Sequence, residues 1–290
     1  MEYLGESKII NKITPLVSVC IPTFQHVLYI EQCLESVLSQ ETDFPFEILI
    51  GEDDSTDGTR EICVRYAEKY PDKIRLFLRR AEDKMKRNGK KIGRLNHLGL
   101  YMSARGKFLC ICDGDDYWTS NRKLQLQVGL LNKFPDASIC ITKTILDGEE
   151  NPITLDIPDE LKVKKSVELK NLKYQGHISS WMMRNRMEDF LKNKASYKCP
   201  GLDVVIYNFY KKQGDVILTP EVTSFYTRNM KGSYRKMSNI QTHRKRFITN
   251  WYTFIYIHQD PIVYLRSLAF MGKRYFYNFV APHFSKKKEF

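Results

Sequence analysis

Four consecutive residues, Asp113-Gly114-Asp115-Asp116, have the types and the position to do chemistry, because they follow directly on the apolar run Phe108-Leu109-Cys110-Ile111-Cys112. Acids at the C-terminal end of a strand in an α/β sheet stand where such sheets bind ligands. Two carboxylates one residue apart can both reach a hard divalent cation. Mg²⁺ or Mn²⁺ held by one or two carboxylates usually completes its shell with substrate phosphates. Three acids on one turn repel one another unless a cation is present. A metal site with Asp115, Asp113 and Asp116 therefore outweighs the alternative, a solvated turn whose acids favour the N-terminus of a following helix. A second acidic run, Glu52-Asp53-Asp54-Ser55-Thr56-Asp57-Gly58, follows Phe46-Glu47-Ile48-Leu49-Ile50 in the same manner. Alone it is a strand-to-helix turn with a cap. Placed in one sheet with Asp113, a carboxylate there can accept hydrogen bonds from a base edge or from ribose hydroxyls.

The elements that must position these acids are legible from Leu16 to Leu146, where short β-branched runs alternate with runs of helical period, the pattern of a mostly parallel α/β sheet. LVSVCIP is the first strand. Ile30, Cys33, Leu34, Val37 and Leu38 share one face of a helix over 28–40. FEILIGE is the second strand, and a helix capped by Thr56 or Asp57 runs from there to Pro71. IRLFL is a third strand, 79–91 an exposed basic loop, and 93–104 a helix leading into the Phe108 strand. Thr119 or Ser120 caps the next helix, which turns Leu124, Val128 and Leu131 inward, and ASICITKTIL is one more strand. Beyond Leu146 a polar stretch with two prolines marks a boundary. Helices over 186–194 and 202–213, a short strand VILTP and two tail helices divided by Pro261 follow. The expected organisation is 1–146, 147–240 and a helical tail over 241–290.

Composition narrows the class. The chain has 290 residues, 42% hydrophobic and 28% charged, enough for a buried core and unlike disordered or collagen-like chains. No run approaches the roughly 18 apolar residues of a membrane span, and the opening MEYLGESKIINKITP lacks the apolar centre of a secretory signal. The expected location is the cytoplasm. Seven cysteines without a C-x-x-C, mostly inside apolar runs, read as reduced and buried. The net charge is +12, and its distribution is uneven. Residues 1–146 hold 21 Lys/Arg and 20 Asp/Glu, whereas 228–290 hold 13 Lys/Arg, two acids and 14 aromatics. Basic residues interleaved with aromatic rings suit an anionic membrane surface, which ranks first because a lipid-carried acceptor would need the protein there; the peripheral site would be the inner face of the membrane. A helical cap on the sheet ranks second. Phosphate contact and base stacking with nucleic acid rank last, and no nucleic acid is expected as a partner.

The segments VSVCIPTFQHVLYIEQCLESVLSQ, FEILIGEDDSTDGT, the Gly93/Asn96 region and KFLCICDGDDYWT, in that order, resemble the family 2 glycosyltransferases of the GT-A fold, in particular bacterial capsule and lipopolysaccharide enzymes. The resemblance implies an α/β, Rossmann-like sheet flanked by helices with a helical C-terminal extension. It also implies inverting transfer of a sugar from a nucleotide-sugar donor, UDP being the commonest nucleotide, to a glycan or lipid-linked acceptor, with Mn²⁺ or Mg²⁺ as cofactor. Carried over by position, Pro22 and Thr23 lie beside the nucleotide, Glu52 and Asp54 flank the base and ribose, and Asn96 belongs to the same pocket. Asp113 and Asp115 form the D-x-D motif, with Asp115 the direct ligand. Glu52 stands where many members have Asp. Inverting transfer needs a base for the acceptor hydroxyl, and Gly201-Leu202-Asp203-Val204 fits that place, although Leu202 separates the glycine from the acid and Val204 replaces an aromatic. The bland reading of Asp203 is a helix cap, and Asp189 and Asp215 are weaker candidates for the base. Arg228, in a segment resembling the family's diphosphate-closing motif, offsets leaving-group charge, with Lys231 as substitute for the family's missing histidine. His177 and Trp181 would line the acceptor pocket, with a buried structural role the alternative for Trp181. Two other readings stand beside this one. A nucleotidyltransferase would also use paired acids, but VCIPTFQH lacks the glycine-rich phosphate loop. The other is a non-catalytic lipid- or nucleic-acid-binding module with a degenerate transferase core.

Overall fold

A computed structural model describes residues 2–5, 11–87, 89–148, 152–153, 157–168, 175–228 and 238–276. Its elements are β1 (Glu2–Tyr3), β2 (Val17–Thr23), α1 (Ile30–Leu38), β3 (Phe46–Glu52), α2 (Thr59–Lys69), β4 (Ile74–Leu78), β5 (Met85–Arg87), β6 (Lys90–Ile92), α3 (Arg94–Ser103) and β7 (Phe108–Ile111). They continue with β8 (Tyr117–Trp118), α4 (Lys123–Lys133), β9 (Ala137–Leu146), β10 (Pro152–Ile153), β11 (Lys162–Lys164), β12 (Trp181–Arg184), α5 (Met187–Lys192), α6 (Ala195–Lys198), α7 (Leu202–Gln213), β13 (Asp215–Tyr226), α8 (Asn239–Thr253) and α9 (Pro261–Tyr275).

The main sheet runs β1-β4-β3-β2-β7-β12-β9-β13-β11, with β10 on β9 and β8 on β13. Strands β4, β3, β2 and β7 are parallel, so their C-terminal ends share one edge. β12 is antiparallel to both β7 and β9, and β13 is parallel to β9. All seven residues of both β2 and β3 are buried, as expected for parallel strands covered on both faces. Alternation along β2 sends Val17, Val19 and Ile21 to one apolar layer with Cys33 and Leu34 of α1, and Cys20 to the other layer with Leu98 of α3 and Tyr207 of α7. The result is an α/β sheet flanked by helices. Its second half is threaded through the first, since β12 lies between two strands that precede residue 147.

Several local expectations are corrected. The 79–91 stretch is not an open loop; it holds a 3₁₀ turn over Ala81–Asp83 and the β5–β6 hairpin, in which Met85 pairs with Ile92. α4 starts at Lys123, and Ser120 Oγ accepts only from the Arg122 amide at 3.3 Å, one residue ahead of the helix. α2 is entered through Gly58 at φ +102°, a left-handed position open to glycine, and Asp57 Oδ1 accepts from the Thr59 amide at 3.1 Å. The strand expected at VILTP extends from Asp215 to Tyr226. In the tail, Ser238 and Gln241 form a capping box that starts α8, and Pro261 opens α9 after a π-turn over Phe254–His258. Among the described residues no helix is long and apolar enough to cross a membrane.

Candidate active site

The site is assembled at the shared C-terminal edge of β2, β3 and β7. The Gly114 amide donates to Pro22 O at 3.0 Å and the Asp53 amide to Thr23 O at 3.0 Å, which ties both acidic turns to the end of β2. A Cβ on Gly114 would lie 2.6 Å from Thr23 Oγ1, so glycine is what lets the acid turn close on β2. Thr23 Oγ1 sits 3.2 Å from His26 Nδ1, and His26 Nε2 lies 3.5 Å from Asp115 Oδ2. Burial lowers the His26 pKa, and the Asp115 charge opposes that.

Asp113 carries the strongest signal. Its Oδ1 is buried with no hydrogen-bond partner among the described residues, and burial, then the charges of Asp115 and Asp203, push its carboxyl up to about 7. Asp203, in the first turn of α7, therefore shares one electrostatic environment with the acid turn although 90 residues of chain separate it from Asp113. Asp116 is 1% exposed; its Oδ1 accepts from the Thr227 amide at 3.1 Å, and burial drives its pKa well up. His177 Nδ1 lies 2.7 Å from Ser179 Oγ and 3.5 Å from Asp116 Oδ2, while its ring leans on Tyr226 at 4.3 Å. Burial pushes His177 down to about 4, so it is neutral near pH 7.

The donor set suits a hard cation in part. Among the described residues no three His, Cys, Asp or Glu side chains converge as a metal cage. Asp116, expected as a third ligand, accepts from the Thr227 amide through Oδ1, while its Oδ2 is buried with no hydrogen-bond partner among the described residues. Asp113, with its orphaned oxygen, and Asp115 offer two carboxylates, a set that fits a divalent ion shared with substrate phosphates.

The second acidic turn is held by its own side chains. Glu52 is fully buried; its Oε1 accepts from the Ser55 amide at 2.7 Å and its Oε2 pairs with Arg60 Nε. Asp54, at φ +65°, accepts from the Ala81 amide at 3.1 Å and lies 3.4 Å from Arg60. Both carboxylates are thus occupied in holding the turn. Asp53, which the sequence reading passed over, faces a cavity of about 190 Å³ lined also by Arg79, Lys84, Ile92, Leu95 and Asn96. It pairs with Lys84 at 3.3 Å, and burial raises its pKa. Asn96 donates to Gly51 O at 2.7 Å and so pins α3 to β3 beside that cavity. The signal that could have separated the three acids is Arg60, eight residues after Glu52 on the first turn of α2.

On the acceptor side Trp181 is fully buried, its Nε1 donating to Gln175 O at 2.9 Å and its ring packed on Tyr207. It has no face to offer a sugar. Arg228 follows β13, its amide donating to Asp147 Oδ2 at 3.3 Å, and its charge is felt by Tyr226 next to the acids. Lys231 lies outside the described residues. Asp189 pairs with Lys192 at 3.7 Å, and Asp215, at the start of β13 and the opposite sheet edge, with Lys165 at 2.7 Å. Neither joins the site.

This edge-of-sheet arrangement is matched by known proteins. The model of glycosyl transferase family 2 fits residues 18–193, more than half of the chain, and the protein belongs to that family. An uncharacterized protein of Mycobacterium bovis, Mb1547, is 27% identical over 219 residues, which is 76% of this chain and 60% of that protein. This chain thus spans less than two thirds of that relative. Among solved structures, S. aureus TarS 1-349 in complex with UDP superposes with a TM-score of 0.61 at 19% identity, covering 94% of this chain and 75% of that one. The mannosyltransferase PcManGT from Pyrobaculum calidifontis, in complex with GDP-Man and Mn²⁺, gives 0.59 at 17% identity, covering 94% and 72%. These likenesses establish the GT-A fold.

Proposed function

We propose that the protein is an inverting glycosyltransferase that moves a sugar from a nucleoside diphosphate donor, UDP-linked by preference, to a hydroxyl of a growing surface polysaccharide or lipid-linked glycan. The observation that carries this reading is the Asp113 carboxylate, buried with an unpartnered oxygen one residue from Asp115 and within the field of Asp203. Support comes from the UDP in the TarS complex and the GDP-Man and Mn²⁺ in the PcManGT complex.

In this reading Asp53 receives the base or ribose in the cavity beside Asn96, and Pro22 and Thr23, at the end of β2 where the Asp53 amide donates to Thr23 O, lie beside the nucleotide. Asp113 and Asp115 would hold a divalent ion, which would supply positive charge against that developing on the departing diphosphate. Arg228 adds a cation to the same oxygens through its paired N–H donors. Asp203 takes the proton of the acceptor hydroxyl as that oxygen attacks the anomeric carbon from the face opposite the diphosphate. The C–O bond to the diphosphate breaks and the configuration inverts. His177, neutral beside Asp116 and Tyr226, borders the acceptor. The protein works at the inner membrane face, held by the basic tail. Ile240, Phe247 and Trp251 on α8 and Ile262, Leu265 and Phe270 on α9 are exposed there among lysines and arginines.

Calorimetric titration with UDP, GDP, TDP and CDP, in Mn²⁺ and then in EDTA, tests the reading. One nucleotide should bind, and chelation or Asp115→Asn should abolish that binding. Failure of all four to bind with Mn²⁺ present would favour the non-catalytic module. Asp203→Asn should keep donor binding and lower transfer by about 10²–10⁴-fold; full transfer by that variant moves the base elsewhere.

A further inference from the structure

The charge of Asp203 is felt by groups of both signs. On one side is the acid turn, whose Asp113 responds to Asp115 and Asp203. On the other are three cations from three different elements, Arg87 of β5, Arg94 of α3 and Lys245 of α8. Arg94 is 6% exposed, and its Nη2 donates to the carbonyls of Cys199 and Pro200, just ahead of the helix that carries Asp203. Its Nη1 is buried and has no hydrogen-bond partner among the described residues. Arg87 Nη2 donates to Tyr197 O at 2.9 Å on the same segment. Lys245 precedes Thr249 by one helical turn, and Thr249 Oγ1 accepts from the Gly201 amide at 3.1 Å. The three cations are near enough to affect one another. Lys245 is lowered by burial, then by Arg94 and Arg87, against the pull of Asp203, while Arg94 is lowered to about 10 by burial and by Arg87.

Neighbouring cations repel one another, and a buried guanidinium donor without an acceptor is costly. An oxyanion arriving between them removes both penalties. We infer that Arg87, Arg94 and Lys245 together bind an anionic group of the acceptor, a phosphate or a carboxylate, and so present a neighbouring acceptor hydroxyl to Asp203. The inference rests on the transferase reading for the role of Asp203, but the anion site itself can be tested without it. A phosphate is the better fit of the two, because its several oxygens can meet donors from three elements together.

The probes are glycerol phosphate, glucuronate and glycerol, titrated into the full chain first without nucleotide and then with saturating UDP and Mn²⁺. Saturable binding of glycerol phosphate, absent for glycerol and weakened as NaCl rises, is expected in both settings. Glucuronate binding better than glycerol phosphate would assign the three cations to carboxylates. Lys245→Gln and Arg87→Gln should each weaken anion binding about tenfold and leave UDP affinity unchanged. They are the primary variants because Arg94→Gln also removes the Cys199 and Pro200 contacts and could unfold the segment. Anion binding that is undetectable, or unaltered in both variants, overturns the inference. Loss of UDP binding with the anion site intact overturns the donor reading alone.

Discussion

At the scale of single residues, the chemistry was visible as acid types after apolar runs, and the structure bears out where the two acidic turns stand. Which acid faces which way was not visible. Glu52, Asp53 and Asp54 are adjacent, and their directions depend on the last pleat of β3, on the positive φ of Asp54 and on an arginine that arrives with α2. Trp181 was equally ambiguous, because burial is a property of its neighbours Gln175 and Tyr207. Asp113 offers a test of its surroundings. Its carboxyl is held at about 7 against an ordinary 3.8, so the folded chain keeps a proton that the unfolded chain releases. That stability is full below about pH 4 and is lost as pH rises through 7. Asp113→Asn, permanently neutral, should therefore melt higher than the wild type in EDTA. The gap should widen from pH 5 to pH 7 and level off above. A gap that is constant with pH would mean that Asp113 is already ionised in the metal-free protein.

At the scale of elements, the strands and helices of the first half were legible because apolar period and burial coincide there. β13 was legible only in its apolar start. Further along, Thr223 and Ser224 are polar yet buried, because they meet Thr142 and Thr144 of β9 through hydroxyl contacts of 2.6 and 2.9 Å. The β5–β6 hairpin has one apolar pair, Met85 and Ile92, which is too little alternation to announce itself in a basic run. The acid turn itself depends on a contact between elements, the approach of Gly114 to Thr23. Gly114→Ala must push that turn away from β2. The expected cost is about 1–3 kcal/mol in urea unfolding, with weaker Mn²⁺-dependent nucleotide binding. Wild-type affinity in that variant would detach cation binding from the position of the turn.

At the scale of the whole molecule, the excess charge gathers in the last segment, and the structure splits that segment into two parts with different attachments. α8 is fastened to the site through Thr249, Gly201 and Cys199. α9 leans on α8 through Trp251 and Tyr264 while exposing Ile262, Leu265 and Phe270. A chain ended at Asp260 should keep UDP affinity and its melting transition. It should also sediment with phosphatidylglycerol vesicles far less than the full chain; undiminished sedimentation would place the lipid contact elsewhere. The sequence located this charge, but not its division, since only packing distinguishes a buttress from a free face. The position of β12 between β7 and β9 has a consequence for synthesis. A nascent chain that has delivered β9 still lacks the strand that joins it to the sheet, and the slot closes only when Trp181–Arg184 leave the ribosome. Until then β9 has only the two residues of β10 beside it and is a largely open edge in an incomplete domain, so ribosome pausing before that point prolongs its exposure to chaperones and to aggregation. An exchange of the segment up to β9 between relatives should likewise yield insoluble chimeras unless β12 travels with it.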